Sequence, residues 1–161
     1  MVNSLGKQMY CAASYAVAAA ETLEALFLED KGLLNQLSVQ QILDCSSDEK
    51  FMMSKNTQFN HNCEGGWMAS AMSYMTLQNV FTEKAYPYKG VKQACNYKNV
   101  KSSPSYKSYK WRTISPGDPH ALKTLLQDGP VAASISASSP IFRFYAKGVI
   151  DDVSMAGYEH M

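Results

Sequence analysis

The stretch from Cys11 to Leu28 constrains the fold more than any other part of the chain. Cys11-Ala-Ala-Ser-Tyr-Ala-Val-Ala-Ala-Ala20 is built almost wholly from small side chains. Thr22, Leu23, Leu26 and Phe27 continue the apolar pattern at helical spacing through Glu21 and Glu24. With Lys7 ahead of it, the first part imitates a short secretory leader with an A-x-A site. The pattern runs past that point, so residues 11–28 are expected to form one long, largely buried helix. No signal or targeting segment is then visible, which implies that one was removed or that the natural N-terminus lies elsewhere.

A buried helix needs cover, and 161 residues can supply it as one domain or as two small ones sharing an interface. A formal net charge of +1 gives no electrostatic ground for binding nucleic acid or an anionic membrane. Ten Tyr, six Phe and two Trp argue against disorder. No apolar run approaches the roughly 18 residues of a membrane helix.

Lys31-Gly32 marks a turn after the first helix. Ser38, with Gln41 three residues on, forms a capping box that opens a short helix. Residues 46–62 are polar and read as an exposed loop. Gly65-Gly66 breaks the chain before a third helix, whose apolar positions are Trp67, Met68, Ala71, Met72, Met75 and Leu77. The second half differs. Residues 100–114 alternate partly, as a strand does. Asp118-Pro119 starts a helix through Leu126. Gly129-Pro130 ends it, and Val131–Ala137 reads as a buried strand. Residues 140–147 read as an aromatic turn, with Val149-Ile150 a short strand. Helices first and strands later give an α+β fold, with a boundary near residues 96–104.

Four cysteines, Cys11, Cys45, Cys63 and Cys95, are widely spaced and no pair has C-x-x-C spacing. His61 and Cys63 form an H-x-C pair without a second pair nearby, so no metal site is expected. The cysteines permit three full disulfide connectivities, or one bridge and two free thiols. Cys11 is the sharpest chemical candidate. It stands where the long helix begins, and a helix N-terminus favours the thiolate that attacks a carbonyl carbon. Such a nucleophile also needs a histidine as acid and base. His61 and His120 sit in positions that read as solvated. Taken alone, His160, 149 positions after Cys11, is a bland near-terminal residue, just as a buried cysteine at a helix start is more often core than catalytic.

In order along the chain, several segments resemble the papain-like cysteine peptidases. Gly6…Cys11-Ala-Ala-Ser resembles the nucleophile region, and Leu37-Ser-Val-Gln-Gln-Ile-Leu-Asp-Cys45 resembles L-S-x-Q-x-L-x-D-C. Cys63-Glu-Gly-Gly-Trp-Met68 resembles C-x-G-G-x-x, and Ala85-Tyr-Pro-Tyr-Lys-Gly90 with Cys95-Asn-Tyr97 resembles Y-P-Y…C-x-Y. Gly129-Pro130-Val131 and Phe144-Tyr145…Gly148-Val-Ile150 resemble the barrel strand and the approach to the histidine. His160 falls within the window of about 130–150 residues after the cysteine.

The resemblance implies a two-lobe α+β fold: a helical left lobe over 7–98 and part of a right-hand β-barrel over 99–161. It implies peptide-bond hydrolysis, with Cys11 as nucleophile and His160 as proton shuttle, and no cofactor or metal. A non-enzymatic alternative keeps the cleft as a peptide- or protein-binding surface; a third reading is a gene fragment without a role. Gly65 and Gly66 would pair with an extended substrate, and Trp67 and Met68, with Ala133 or Ser134, would line an apolar pocket. A Cys45–Cys95 bridge and a free Cys63 are implied. So are a monomer, if complete, and a lysosomal, vacuolar or extracellular location. The sequence also departs from the family pattern. Leu5 takes the place of the glutamine that helps bind the oxyanion, Gln8 that of a half-cystine, and Ala12 that of a tryptophan. The sequence ends at Met161, so the asparagine that orients the histidine is expected beyond it, and activity is expected to be impaired.

Overall fold

The computed structural model describes residues 10–33, 35–48, 60–100, 104–108, 110–115, 117–135 and 139–151. The first helix, α1, spans Ser14–Lys31. Ala13 offers no side-chain cap; its own N–H is held at 2.8 Å by the Cys11 carbonyl. Gly32 ends the helix in the left-handed conformation, its N–H returning to the Leu28 carbonyl. The small residues explain how α1 is buried. Ala13, Ala16, Ala19 and Ala20 have 0% exposure, so their backbone lies close to what covers it, while Tyr15, Leu23 and Phe27 fill the space on either side.

That cover comes from α2, Val39–Cys45, and α3, Met68–Leu77, both of which pack on α1. Ser38 caps α2 by accepting the Gln41 N–H at 2.9 Å. The reciprocal half of the capping box does not form. The Ser38 N–H goes to the Phe81 carbonyl, and the Gln41 side chain reaches the Tyr74 hydroxyl, the Asn79 carbonyl and the Phe81 N–H instead.

Helix α2 is short and buried from Gln40 to its end, yet three of its seven side chains, Gln40, Gln41 and Asp44, are polar. Irregular loops explain this. A loop packed against a core must satisfy its own N–H and C=O groups, and here side chains of α2 do so. Gln40 bonds the Val91 carbonyl and the Lys89 N–H. Asp44 accepts from Gln93 N–H, the Tyr86 hydroxyl and Gln40. Burial pushes the Asp44 carboxyl above its usual pKa, against the pull of those three hydrogen bonds.

In α3, Ala71, Tyr74 and Met75 are buried, and Met68 and Met72 pack against the same core. Leu77, expected inside, is exposed at the helix end. Strand β1, Val80–Phe81, pairs antiparallel with β2, Ser105–Tyr106, with Val80 opposite Tyr106. Tyr106 meets the Phe27 ring edge-on at 5.1 Å, and the Ser108 N–H bonds the Met75 carbonyl, which ties this segment to the helices. Two further helices follow, α4 over Pro119–Asp128 and α5 over Pro140–Arg143. Asp118 caps α4 by accepting the Ala121 N–H, as the Asp-Pro pair predicts.

The strand expectations need correction. The strand expected over 100–114 contracts to Ser105–Tyr106 among the described residues. Residues 131–134 are irregular and 133–135 exposed, so no buried strand runs from Val131, and residues 136–138 lie outside the described set. Val149-Ile150 is irregular too, with Val149 91% exposed. An apolar run becomes a strand only where a neighbour takes its backbone groups, and the run itself does not reveal that neighbour. The loop expected over 46–62 has buried ends: Asn60 donates to the Ser46 hydroxyl at 2.8 Å. Among the described residues, none beyond Gly90 is buried.

Ala16→Leu is expected to destabilise the chain by about 1–3 kcal/mol in urea unfolding, because added methylenes have nowhere to go in a closed contact. The same change at exposed Asp30 should be near neutral.

Candidate functional site

Cys11 lies two residues before the N-cap of α1 and is 3% exposed. The segment facing it is 60–67. Its 3₁₀ turn, Asn62–Glu64, presents the Cys63 carbonyl to the Ala12 N–H at 3.0 Å. The segment also closes on itself, with the His61 N–H bonded to the Gly65 carbonyl at 2.8 Å and the Trp67 N–H to Asn60 Oδ1 at 2.6 Å. Beneath it, the Tyr15 hydroxyl donates to the Asn62 carbonyl at 3.3 Å. Burial, more than any other cause, raises the Tyr15 phenol far above its ordinary value, so it remains a donor at every physiological pH.

The two glycines serve different needs. Gly65 has φ 108°, which side-chain-bearing residues rarely adopt. Gly66 has no room for a side chain: a Cβ there would strike the Asn60 amide and lie 2.9 Å from the Tyr15 ring. Asn60 is therefore a buried organiser of this segment, and sequence reasoning missed it. Nothing distinguishes it from the other polar residues of its stretch until its burial is seen.

The cysteine pairing corrects one expectation and meets another. Cys45, the last residue of α2, is bridged to Cys95 as the resemblance implies. Cys63 is not free. It is bridged to Cys11, with the two Cα atoms 4.4 Å apart, and no cysteine of the chain is left unpaired. The physical reason is local. The Ala12–Cys63 hydrogen bond holds the Cys63 turn against the Cys11 segment, which brings the two sulfurs within bridging reach. The sulfur expected to act as nucleophile is thus covalently occupied in this structure.

The other expected site residues are scattered. His160, Leu5 and Gln8 lie outside the described residues. Trp67 is 37% exposed and Met68 packs on the core. Ala133 and Ser134 are exposed. A cavity of about 600 Å³ opens between α1, α3 and the 108–132 segment, with Leu23, Leu26, Met72, Met75, Trp111 and Val131 in its wall. None of the four expected pocket residues lines it. Arg112 pairs with Asp128 at its rim, where both side chains are more than half exposed. Among the described residues, no three His, Cys, Asp or Glu gather as a metal site, and no helix is long and apolar enough to cross a membrane.

The whole chain, residues 1–161, matches the sequence profile described as papain family cysteine protease. It is 33% identical over 158 residues to cathepsin S of Mus musculus, covering 97% of this chain and 44% of that protein. It is 33% identical over 150 residues to testin-2 of Mus musculus, with 92% and 41% covered. Macrodontain-1 of Ananas macrodontes is 30% identical over 149 residues, with 92% of this chain and 63% of that protein covered. The chain therefore spans roughly two fifths to three fifths of the length of these relatives. Among solved structures, the Carica candamarcensis cysteine protease CMS1MS2 in complex with E-64 superposes with a TM-score of 0.78. Identity there is 22%, with 94% of this chain and 66% of that one covered, so the likeness is one of fold.

Proposed function

The chain belongs to the papain family of cysteine proteases, and from that premise we propose that it carries a cysteine-peptidase site of low turnover. In this reading the Cys11 thiolate attacks a peptide carbonyl, His160 shuttles the proton, and water releases the acyl group. The observation that supports it best is the position of Cys11. It stands at the approach to α1, directly beside the Gly65–Gly66 segment through the Ala12–Cys63 hydrogen bond. In this reading the nucleophile stands near backbone with which an extended peptide would pair. The Gly65 carbonyl accepts from the His61 N–H, so in this reading the pairing uses the remaining backbone groups of Gly65 and Gly66. Trp67 and Met68 with Ala133 or Ser134 are the proposed contacts for an apolar substrate residue. The proposed setting is lysosomal, vacuolar or extracellular, where disulfides persist.

A second reading has its own observation. The Cys11–Cys63 bridge removes the nucleophile, which suits a non-enzymatic module that holds a peptide or protein partner in the cleft. One assay separates the two. The chain is incubated with an apolar dipeptide fluorogenic substrate, with and without reductant. Slow cleavage after reduction, absent in Cys11→Ala, is the expected result. Peptide binding without cleavage in either state would replace the enzyme reading with the second.

A further inference from the structure

We propose that Asn60 is a positioning residue for peptide recognition: without touching the peptide, it fixes the Gly65–Gly66 backbone where an extended chain would pair with it. This rests on the reading, common to the enzyme and the binding module, that a peptide lies along this backbone. Asn60 is 2% exposed, and both ends of its amide are engaged. Oδ1 accepts the Trp67 N–H at 2.6 Å, and Nδ2 donates to the Ser46 hydroxyl at 2.8 Å. One side chain at the start of the segment therefore holds the far end of it, and ties both to the residue that caps the end of α2.

The hydroxyl protons can be followed from there. The Tyr15 hydroxyl gives its proton to the Asn62 carbonyl, so in its hydrogen bond with Ser46 the serine is the donor. Each hydroxyl has one proton, which fixes both directions. The sequence of donors runs Asn60, Ser46, Tyr15, and it ends on Asn62, in the segment where it began. All three donors are buried, so displacing one strands the polar group of the next.

Gly66 is where this network meets the proposed peptide path. A Cβ there would strike the Asn60 amide and lie 2.9 Å from the Tyr15 ring, so the glycine backbone rests directly on two members of the network. A shift of the Asn60 amide is then a shift of Gly66. The bond from the His61 N–H to the Gly65 carbonyl closes the same turn from within, although Asn60 does not touch it through its side chain. Backbone set in place beforehand does not have to be ordered when a peptide binds, and affinity rises by that saving.

Two measurements on the unreduced whole chain test this: polarisation of a Leu-Leu dipeptide amide carrying fluorescein, and amide hydrogen exchange of the free protein. Asn60→Ala should weaken peptide binding by about tenfold, the equivalent of one ordinary hydrogen bond. It should also speed exchange of the His61 N–H by about tenfold relative to the Gly32 N–H at the end of α1. Asn60→Asp retains an acceptor for Trp67 and can accept from the Ser46 hydroxyl. It should hold peptide affinity to within about threefold even though its buried charge lowers Tm. Unchanged affinity in Asn60→Ala, unchanged His61 exchange, or equal losses of affinity in the two variants overturns the proposal. If Asn60→Ala does not fold, Ser46→Ala replaces it; that variant leaves the Trp67 bond in place and should weaken binding by about threefold, and unchanged affinity there overturns the proposal as well. Failure of the wild-type chain to bind the peptide overturns the pairing reading together with the proposal. Equal binding by the wild type and Asn60→Ala overturns the proposal alone.

Discussion

Leu5→Gln is expected to raise turnover of the reduced chain by about 10²–10³-fold, the span that removal of a side-chain oxyanion donor costs in a serine protease. An amide N–H at this position would donate to the oxygen only once it carries the developing negative charge. The gain should therefore fall on kcat, with KM little changed. Leucine offers no donor and cannot compensate by moving. Residue 5 lies outside the described residues, so the expectation rests on the sequence correspondence that sets Leu5-Gly6 against the family's Q-G. Steady-state kinetics of both chains, each fully reduced and titrated for reactive thiol, measure it. An unchanged kcat would show that position 5 does not face the reacting carbonyl, or that the chain has no turnover to enhance.

The largest expected loss of stability comes from Gln41→Leu. The residue is 0% exposed and its amide serves three groups at once: the Tyr74 hydroxyl at 2.8 Å, the Asn79 carbonyl at 2.7 Å and the Phe81 N–H at 2.8 Å. Leucine fills a similar volume but leaves all three without that partner. At about 1–2 kcal/mol for each hydrogen bond lost, the cost is about 3–6 kcal/mol. For a chain of this size, that corresponds to a drop of about 10–20 °C in Tm. Gln127→Leu, on the exposed face of α4, is the control and should change stability by less than about 0.5 kcal/mol. Equal effects in the two variants would mean that the Gln41 bonds are worth no more than bonds to water.

What could be read from the sequence follows from the range of the forces involved. Helix α1 was legible because small and apolar residues recur over many turns. The caps at Ser38 and Asp118 were legible because a side chain two or three positions away satisfies the exposed N–H. The remainder depends on partners distant in sequence. Gln40, Gln41 and Asp44 look like the polar face of a surface helix, and only the loops folded over them make that face interior. The Cys45–Cys95 bridge was legible by resemblance alone. The Cys11–Cys63 bridge was not, because reading Cys11 as a nucleophile left Cys63 without a partner, and only the fold shows that the Ala12 N–H holds the Cys63 turn against Cys11. Among the described residues, Val131–Ile135 does not form the expected buried strand for a related reason: its apolar residues reveal nothing about whether a ladder partner lies alongside.

The two disulfides interleave along the chain, since Cys45 falls inside the loop closed by Cys11 and Cys63, and Cys63 inside the loop closed by Cys45 and Cys95. As a covalent graph, the polypeptide is then not equally vulnerable everywhere. A peptide bond cut between Cys45 and Cys63 leaves the two pieces joined by both crosslinks, whereas a cut between Cys11 and Cys45, or between Cys63 and Cys95, leaves them joined by one. Opening the Cys11–Cys63 crosslink changes this map. A chain already cut between Cys11 and Cys45 would fall into two separate polypeptides, while one cut between Cys63 and Cys95 would still be held by Cys45–Cys95. The redox state of one bond therefore sets which past cleavages the protein survives as a single molecule.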